Sequence, residues 1–130
     1  YYASKESLPQ VTCWGTGNPY REFLHVDDLG EAVVFCLENW DPESELAPRD
    51  QYGDKILLLN VGSGVEISIK ALANKISKLV NYKGCIFWDQ SKPDGTPRKK
   101  LDTTRINKLG WHSKISLDEG IVKTLEDLNK

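Results

Sequence analysis

The amino-acid sequence predicts an α/β fold, and three observations carry that prediction. Apolar residues recur at helical spacing in two long segments, residues 27–39 and residues 68–80. Between them, residues 56–61 form an apolar run that is typical of a strand covered on both faces of a parallel sheet. Shorter strand-like segments, residues 11–14 and 85–88, precede the first helix and follow the second. Helices interspersed with such strands indicate a mixed α/β architecture.

The composition limits the number of domains and excludes two classes of partner. The 130 residues carry 17 Lys and Arg against 19 Asp and Glu, a formal net charge of −2. This length suits one globular domain at most. No apolar run approaches the roughly 18–20 residues of a membrane-spanning helix, and no block of Lys and Arg would attract nucleic-acid phosphates. We therefore expect a single domain over residues 1–130, with neither a nucleic-acid partner nor a membrane partner.

The cysteines and the first residue bear on the origin of the chain. Cys13, Cys36 and Cys85 lie far apart among apolar neighbours, whereas zinc sites and disulfide scaffolds use paired, regular spacings. We expect three reduced core thiols, no metal site and a cytoplasmic location. The chain begins at Tyr1 without a signal or transit peptide, so we expect a processed chain or a piece of a longer one.

The first part of the chain predicts a hairpin, a helix and a loop. Strands at residues 11–14 and 21–26 enclose a turn that contains Gly and Pro. The helix takes Asp27 or Asp28 as its N-cap and ends near Asn39. Its apolar stripe is Leu29, Ala32, Val33, Cys36, Leu37 and Trp40. Residues from about 41 to 54, which are rich in Pro and charge, predict a surface loop.

The remaining elements are predicted by apolar periodicity together with capping and stopping residues. In chain order they are a strand at 56–61, a turn at 62–64, a helix that opens at Ser68 and stops around 81–84, a strand at 85–88, a basic loop at about 89–100, a short helix at about 103–109 stopped by Gly110, and a last helix from Ser116. Ser116 and Glu119 have the spacing of a capping box. The loop at 89–100 carries four cations.

Several segments, taken in order, resemble one family. They are Trp-Gly-Thr-Gly-Asn-Pro-Tyr-Arg-Glu-Phe-Leu-His-Val-Asp-Asp at 14–28, Asn-Val-Gly-Ser-Gly at 60–64, Ser-Lys-Pro-Asp-Gly-Thr-Pro-Arg-Lys at 91–99, Leu-Asp-Thr-Thr-Arg at 101–105 and Leu-Gly-Trp at 109–111. Together they resemble the C-terminal part of the GDP-L-fucose synthases, a family of extended short-chain dehydrogenase/reductases. The first two segments contain patterns shared by many nucleotide-sugar epimerases and dehydratases. The opening Trp-Gly-x-Gly and the Lys-Pro-Asp-Gly-Thr-Pro-Arg-Lys segment are typical of the fucose synthase branch.

The resemblance implies the activity of a longer enzyme. Members of this family use NADPH to epimerise GDP-4-keto-6-deoxymannose at two sugar carbons and then reduce the ketone to give GDP-L-fucose. Their Gly-rich cofactor turn, their reductase Ser, Tyr and Lys, and the Cys and His of epimerisation lie upstream of the segments matched here. We therefore expect a C-terminal substrate-binding portion that lacks most of the Rossmann domain, with NADP bound by the missing N-terminal domain.

Three further expectations follow from the resemblance. The chain should contain no catalytic and no cofactor-binding residue, bind a GDP-sugar weakly and be inactive alone. The longer enzyme should be a cytoplasmic homodimer. The run at 56–61 and the helix residues Leu29, Val33, Cys36 and Leu37 should be bare where the missing domain would cover them, which makes the piece marginally stable or prone to associate.

Two cations are candidates for binding the phosphates of a GDP-sugar. Arg21 follows a Gly/Pro turn, and a planar guanidinium with five donors can grip a pyrophosphate through two hydrogen bonds. The alternative is a surface salt bridge from Arg21 to Glu22 or to an aspartate. Lys99 lies on a loop framed by prolines and matches the family pattern, where a lysine acts as a point charge toward phosphate or ribose. The alternative is a solvated basic loop.

Two further residues complete the predicted substrate-binding set. Asp94 could accept hydrogen bonds from sugar hydroxyls or from a base N–H, although Asp-Gly is also an ordinary turn dipeptide. Trp14 could lay its ring against the ligand or against the core, and the family match favours ligand contact.

Other features favour structural roles. Tyr1 and Lys5 have the Tyr-x-x-x-Lys spacing of a reductase pair, but they lie too close to Trp14 for the family pattern and are expected to end a helix. His25 lacks a second ligand at metal-site spacing and is expected to be a satisfied core histidine. Two glycines, Gly62 and Gly64, without a third predict a simple turn rather than a phosphate loop.

Two other functions stay open at this point. The chain could belong to another nucleotide-sugar epimerase or dehydratase, and a preference for UDP-sugars or dTDP-sugars would identify that case. It could also be a free-standing, non-catalytic binding module, which a natural reading frame that begins at Tyr1 would favour.

Overall fold

The computed structural model describes residues 1–45 and 47–128. Helices and short strands are interspersed along this part of the chain, and the α/β class is confirmed. The elements are α1 (Tyr2–Lys5), β1 (Gln10–Trp14), β2 (Tyr20–Glu22), α2 (Val26–Asn39), β3 (Glu66–Ser68), α3 (Ile69–Leu79), β4 (Cys85–Asp89), β5 (Arg98–Lys99), α4 (Thr104–Leu109) and α5 (Leu117–Asp127).

The strands form two small sheets. In one sheet β1 pairs with β4 in parallel. In the other, β2 lies between β3, to which it is antiparallel, and β5, to which it is parallel. The sequence did not predict β3 or β5, because strands of three and two residues leave no periodic pattern.

The predicted hairpin of β1 and β2 is wrong. Strands of a hairpin must bond to each other, whereas the turn between these two directs its backbone groups elsewhere. The amide of Gly15 donates to the carbonyl of Asp89 at 2.9 Å, and the carbonyl of Gly17 accepts from the amide of Lys70 at 2.8 Å. These bonds continue the ladder of β1 with β4 and tie the turn to the start of α3, so the two strands belong to different sheets.

The described chain divides into two compact units. The first comprises Tyr1–Glu22, Val65–Lys100 and the chain from Ile121 onward, and the second comprises Phe23–Gly64 and Leu101–Gly120. The single domain over residues 1–130 stays a prediction.

Helix ends in the first unit follow local sequence. Ser68 caps α3, and its hydroxyl oxygen accepts from the amide of Ala71 at 3.1 Å, as the sequence predicts. The helix ends at Leu79, and Asn81 adopts a left-handed conformation with φ of +54°. Residues 85–89 then form β4 alongside β1.

The second unit has a small apolar core. Ala32, Ile106 and Trp111 are buried there, and the partly buried side chains that pack around them are Leu24, Phe35, Cys36, Leu59 and Val61. Gly110 ends α4 with φ of +111°, a conformation that favours glycine and confirms the predicted stop. At the last helix, the amide of Glu119 donates to the hydroxyl oxygen of Ser116 at 3.3 Å, which confirms Ser116 as a cap.

Helix α2 differs from its prediction in its cap and in its buried face. Its N-cap is His25, whose Nδ1 accepts from the amide of Asp27 at 3.2 Å, and neither aspartate caps it. Asp28 is buried because its carboxylate accepts from the backbone amides of Lys114 and Ile115 at 3.0 to 3.2 Å. A polar residue therefore lies on the buried face, which apolar periodicity could not reveal.

Much of the predicted apolar stripe of α2 is exposed, as expected for a face that a missing domain would cover. Leu29, Val33 and Leu37 are exposed, and the exposed fraction of Leu37 is 82%. Ala32 and Cys36 turn instead toward the core of the second unit.

The strand predicted at residues 56–61 is wrong, and the predicted exposure of this segment is confirmed only in part. The described chain offers this segment no neighbouring strand, and without one its backbone cannot form a ladder. Leu59 and Val61 reach the core of the second unit, while Leu57 and Leu58 are exposed.

Three smaller predictions have mixed outcomes. The described residues between 41 and 54 contain neither a helix nor a strand, as predicted, apart from one bridge between Arg49 and Lys55. All three cysteines are free, but Cys85 is exposed, so the prediction of a core thiol is wrong there. The residue lies at the start of β4, whose outward positions face solvent. Among the described helices, none has the length and apolar character needed to cross a membrane.

Candidate functional site

All four residues predicted to contact a substrate lie in the first unit. Arg21 is on β2, Lys99 is on β5, Trp14 ends β1 and Asp94 lies in the loop between β4 and β5. Arg21 and Lys99 are direct neighbours. Trp14 and Asp94 take part in contacts between that loop and the segment that includes the turn after β1.

Arg21 and Lys99 are register partners in the parallel ladder of β2 and β5. Partners in neighbouring strands present their side chains on the same face of a sheet, so the two cations share one face. The guanidinium of Arg21 donates to the carbonyl of Tyr20. In the described residues it makes no ion pair with a carboxylate, and the salt bridge weighed as its alternative is not formed.

The two cations that flank Lys99 are engaged by one carboxylate. Arg98 donates from Nε to Oε1 of Glu66 at 2.8 Å and from Nη2 to Oε2, and the Nζ of Lys100 lies 4.0 Å from Oε2. The hydrogen bonds of Arg98, helped by its charge and that of Lys100, hold the pKa of Glu66 below its usual range. The same contact raises the pKa of Arg98. Lys99, on the alternate face of the strand, has no such partner in the part of the chain that the structure describes.

Asp94 is fastened to the turn after β1. Its Oδ1 accepts from the amide of Thr16 at 2.8 Å, and its Oδ2 accepts from the hydroxyl of Thr16 at 2.6 Å. These bonds, the one from the hydroxyl above all, lower the pKa of Asp94. Contact of Asp94 with a ligand stays a prediction, while its contact with Thr16 is a structural fact.

Trp14 is a surface residue. Its exposed fraction is 72%, so the alternative of a core tryptophan is wrong. The Nζ of Lys92 lies 5.7 Å from the centroid of its ring, within the range of a cation–π contact. Trp14 thus offers a flat aromatic face beside the loop that carries Asp94 and leads to β5. Its contact with a ligand stays a prediction.

Two residues of this region escaped the sequence analysis. Thr16 stands between two glycines and resembles any turn residue, and Glu66 belongs to the three-residue strand β3. Their roles depend on Asp94 and Arg98, which are remote in sequence, so no local pattern identifies them.

The turn of Gly62 and Gly64 does not fit the pyrophosphate of a dinucleotide cofactor. A pyrophosphate site of the Rossmann type needs a Gly-rich turn between a strand and a helix N-terminus. The turn of Gly62 and Gly64 follows a segment without strand structure and leads into β3, so it presents no helix N-terminus.

The remaining sequence candidates have structural roles or none. His25 caps α2, and its ring lies so close to Gly120 that a Cβ there would be 3.1 Å from the ring carbon Cδ2. The Nζ of Lys5 lies 4.5 Å from the ring centroid of Tyr1, a local cation–π contact at the end of the short helix α1. In residues 1–45 and 47–128, no group of three His, Cys, Asp or Glu side chains could hold a metal ion.

Comparison with known proteins shows what this chain is similar to. The model of the NAD dependent epimerase/dehydratase family matches residues 2–47. A GDP-6-OMe-4-keto-L-xylo-heptose reductase from C. jejuni has a similar structure, with a TM-score of 0.80, 32% identity, and 92% of this chain and 34% of that chain covered. A GDP-mannoheptose C4 reductase from Campylobacter jejuni with NADP bound gives a TM-score of 0.78 and 28% identity over 98% of this chain and 40% of that one.

Over residues 2–47 the chain is similar to the NAD dependent epimerase/dehydratase family, and its structure is similar to a part of the solved GDP-sugar reductases. It is also similar to GDP-L-fucose synthases. A putative GDP-L-fucose synthase 2 from Arabidopsis thaliana is 45% identical over 95% of this chain and 34% of the relative. The GDP-L-fucose synthase of Escherichia coli strain K12 is 43% identical over 95% and 37%, and a probable GDP-L-fucose synthase 1 from Oryza sativa subsp. japonica is 43% identical over 94% and 33%. The chain spans about a third of the length of these relatives.

Proposed function

We propose that this chain is the C-terminal, GDP-sugar-binding part of a GDP-L-fucose synthase. The longer enzyme would epimerise GDP-4-keto-6-deoxymannose and reduce it with NADPH, with the cofactor held outside this chain. The similarity to GDP-L-fucose synthases along 94–95% of the chain supports this proposal. A cytoplasmic location and a homodimeric enzyme follow from the same family resemblance.

The observation that carries the binding role is the pairing of Arg21 with Lys99. Two cations on one face of a sheet match the two phosphate groups of a nucleoside diphosphate. Arg21 would bind one phosphate through two parallel N–H donors, and Lys99 would add a point charge. Because Glu66 engages Arg98 and Lys100, the positive potential is concentrated on the face of Arg21 and Lys99.

Trp14 and Asp94, the other two predicted residues, would contact the same ligand. Trp14 would lay its exposed ring against the base or the sugar. Asp94 would face the hydroxyl groups of the ligand with the lone pairs that Thr16 leaves open.

The experiment is an NMR titration of the 130-residue chain with GDP, which suits weak binding. Arg21→Lys keeps the charge and loses the two-pronged geometry, and Lys99→Ala removes the point charge. A charge-assisted hydrogen bond is worth roughly 1.5–3 kcal/mol, so each variant should bind GDP about tenfold more weakly or worse. Arg98→Lys is the matched control, because it makes the same chemical change on the opposite face and should alter the GDP affinity less than about twofold.

Unfolding midpoints measured on all four proteins separate a lost contact from a damaged fold. Unchanged GDP affinity in folded Arg21→Lys and Lys99→Ala would contradict the phosphate-binding roles. The nucleobase is tested by the same titration with UDP and dTDP. Tighter binding of either would assign the chain to another nucleotide-sugar epimerase or dehydratase.

A further inference from the structure

The loop between β4 and β5 is attached to the segment from Trp14 to Arg21 at four points. The Nζ of Lys92 lies near the ring of Trp14, and the carboxylate of Asp94 accepts hydrogen bonds from Thr16. Arg21 approaches Gly95 so closely that a Cβ added there would lie 3.2 Å from Nη2 of the arginine. The amide of Tyr20 donates to the carbonyl of Pro97 at 2.9 Å. The β2–β5 ladder that pairs Arg21 with Lys99 begins directly after the last of these contacts. The relative placement of the two cations therefore depends on how the loop lies along this segment.

Asp94 makes the most directional of the four contacts. Its two oxygens accept from two donors of the same residue, the amide and the hydroxyl of Thr16. An ionised carboxylate can only accept, so the hydroxyl proton must point at Asp94. The hydroxyl oxygen of Thr16 in turn accepts from the amide of Asn18 at 3.1 Å. The result is a directed chain of hydrogen bonds from Asn18 through Thr16 to Asp94.

The turn is shaped so that this contact can form. Gly15 has φ of +75°, and a Cβ at this position would lie 2.2 Å from Oδ1 of Asp94. Any side chain at residue 15 would therefore displace the carboxylate and strain the backbone. The close approach of Asp94 to the turn explains why residue 15 is a glycine.

We propose that Asp94 is a positioning residue that acts through Thr16. It holds the turn after β1 against the loop before β5, and this attachment sets the register in which Arg21 and Lys99 face a ligand together. The effect on a ligand rests on the proposed GDP-binding function, whereas the attachment itself can be measured without any ligand. A residue that acted only by binding the ligand directly would not need Thr16.

The first measurement is amide hydrogen exchange in the unliganded 130-residue chain, followed by NMR at Thr16 and at Tyr20. Asp94→Ala removes both acceptors and should speed exchange at Thr16 by about tenfold or more. Exchange at Tyr20 should also rise, because its bond to Pro97 depends on the same attachment. Gly15→Ala should have the same effect as Asp94→Ala.

The second measurement is GDP affinity in a double-mutant cycle. Asp94→Ala and Thr16→Val should each weaken GDP binding by about three- to tenfold, and the double variant should be no weaker than Asp94→Ala alone. Thr16→Ser keeps the amide and the hydroxyl, so its affinity should stay within about twofold of the wild type. Asp50→Ala is the matched control, since Asp50 also accepts from two loop amides, those of Tyr52 and Asp54, and belongs to the second unit. It should change neither GDP affinity nor exchange at Thr16.

Each outcome decides between the two roles of Asp94. Unchanged exchange at Thr16 and Tyr20 in Asp94→Ala would overturn the proposal, whatever happens to GDP binding. Faster exchange at Thr16 alone would reduce Asp94 to a local turn residue and would also overturn it. Wild-type GDP affinity in Thr16→Val, with weak binding in Asp94→Ala, would make Asp94 a direct ligand contact only and would overturn its positioning role. A wild-type chain that fails to bind GDP would refute the proposed function, while the exchange measurements would still decide the attachment.

Discussion

Arg21 and Lys99 lie side by side in neighbouring parallel strands, although one is near the start of the chain and the other belongs to its last third. The ladder that joins them is only two residue pairs long. Such a short ladder cannot be stable by itself, since an isolated pair of strands is marginal even at greater length. The loop and turn contacts around it are therefore as important to the site as the two cations.

The chain is expected not to bind NADPH. Its turn at Gly62 and Gly64 leads into a strand, so it lacks the helix N-terminus that would hold a pyrophosphate. Quenching of intrinsic fluorescence and thermal protection at micromolar NADPH test this expectation, with a full-length GDP-L-fucose synthase as the positive control. Saturable quenching by the cofactor would show the expectation to be wrong.

The exposed apolar face of the second unit should make the chain associate and bind hydrophobic dyes. Leu37 and Leu58 are 82% and 81% exposed, and apolar patches beyond about a few hundred Å² seldom stay solvated. Leu37→Lys and Leu58→Lys should each lower the apparent mass in sedimentation and reduce dye fluorescence. Leu128→Lys, an equally charged change at an exposed leucine outside that unit, is the control. A wild-type chain that is monomeric, unfolds sharply and binds no dye would argue against such a face.

Removal of the buried carboxylate of Asp28 should destabilise the second unit. The residue is 2% exposed, and its oxygens accept from the amides of Lys114 and Ile115. Asp28→Ala leaves these donors without an acceptor, which costs about 2–3 kcal/mol in the free energy of unfolding. Urea unfolding measures the cost. Asp27→Ala, at the exposed neighbouring position, should change stability by less than about 0.5 kcal/mol. Equal stability of both variants would mean that Asp28 does not hold the segment at 114–115.

The pair of Glu66 and Arg98 should make the first unit sensitive to acid. Arg98 holds the pKa of Glu66 below its usual range in the folded chain, with a smaller contribution from Lys100, while Glu22 faces Glu66 across the β2–β3 ladder. A lowered pKa in the folded state contributes stability at pH values above the ordinary pKa of a glutamate. That contribution is lost as the pH falls through the folded pKa.

Thermal unfolding at a series of pH values between about 6 and 3 tests this sign. The melting temperature of Glu66→Gln should fall less steeply with acid than that of the wild type, because the variant has lost the group that titrates. Glu38→Gln, at an exposed position on α2, should follow the wild-type slope. A Glu66→Gln profile parallel to the wild type would exclude the pair as a source of acid sensitivity.

The sequence predicted the helices better than the strands. Ser68, Ser116 and Gly110 mark helix ends through bonds and conformations that involve residues only a few positions away, so local sequence contains the information. The hairpin of β1 and β2 and the strand at 56–61 failed because strand pairing depends on partners remote in the chain.

The candidate site shows the same division. Trp14, Arg21, Asp94 and Lys99 could be named from their residue types and from the family resemblance. Thr16 and Glu66 could not, since each acts through a hydrogen bond to a residue in a distant segment. The order Arg98, Lys99, Lys100 can be read from the sequence. Only the position of Glu66 shows that the two outer cations are engaged by a carboxylate and that Lys99 is not.

The sequence by itself determined the α/β class, most of the helix ends, the family resemblance and the residue types of the phosphate-binding candidates, because these depend on periodicity, local caps and residue types within short segments. The tertiary structure alone decided that a carboxylate engages Arg98 and Lys100 but not Arg21 and Lys99. It brought β2, β3 and β5 together, so that Glu66 neutralises Arg98 while Lys99 lies beside Arg21. The physical reason is that charge compensation depends on distance in space, and distance in space is set by pairing between segments that the sequence separates.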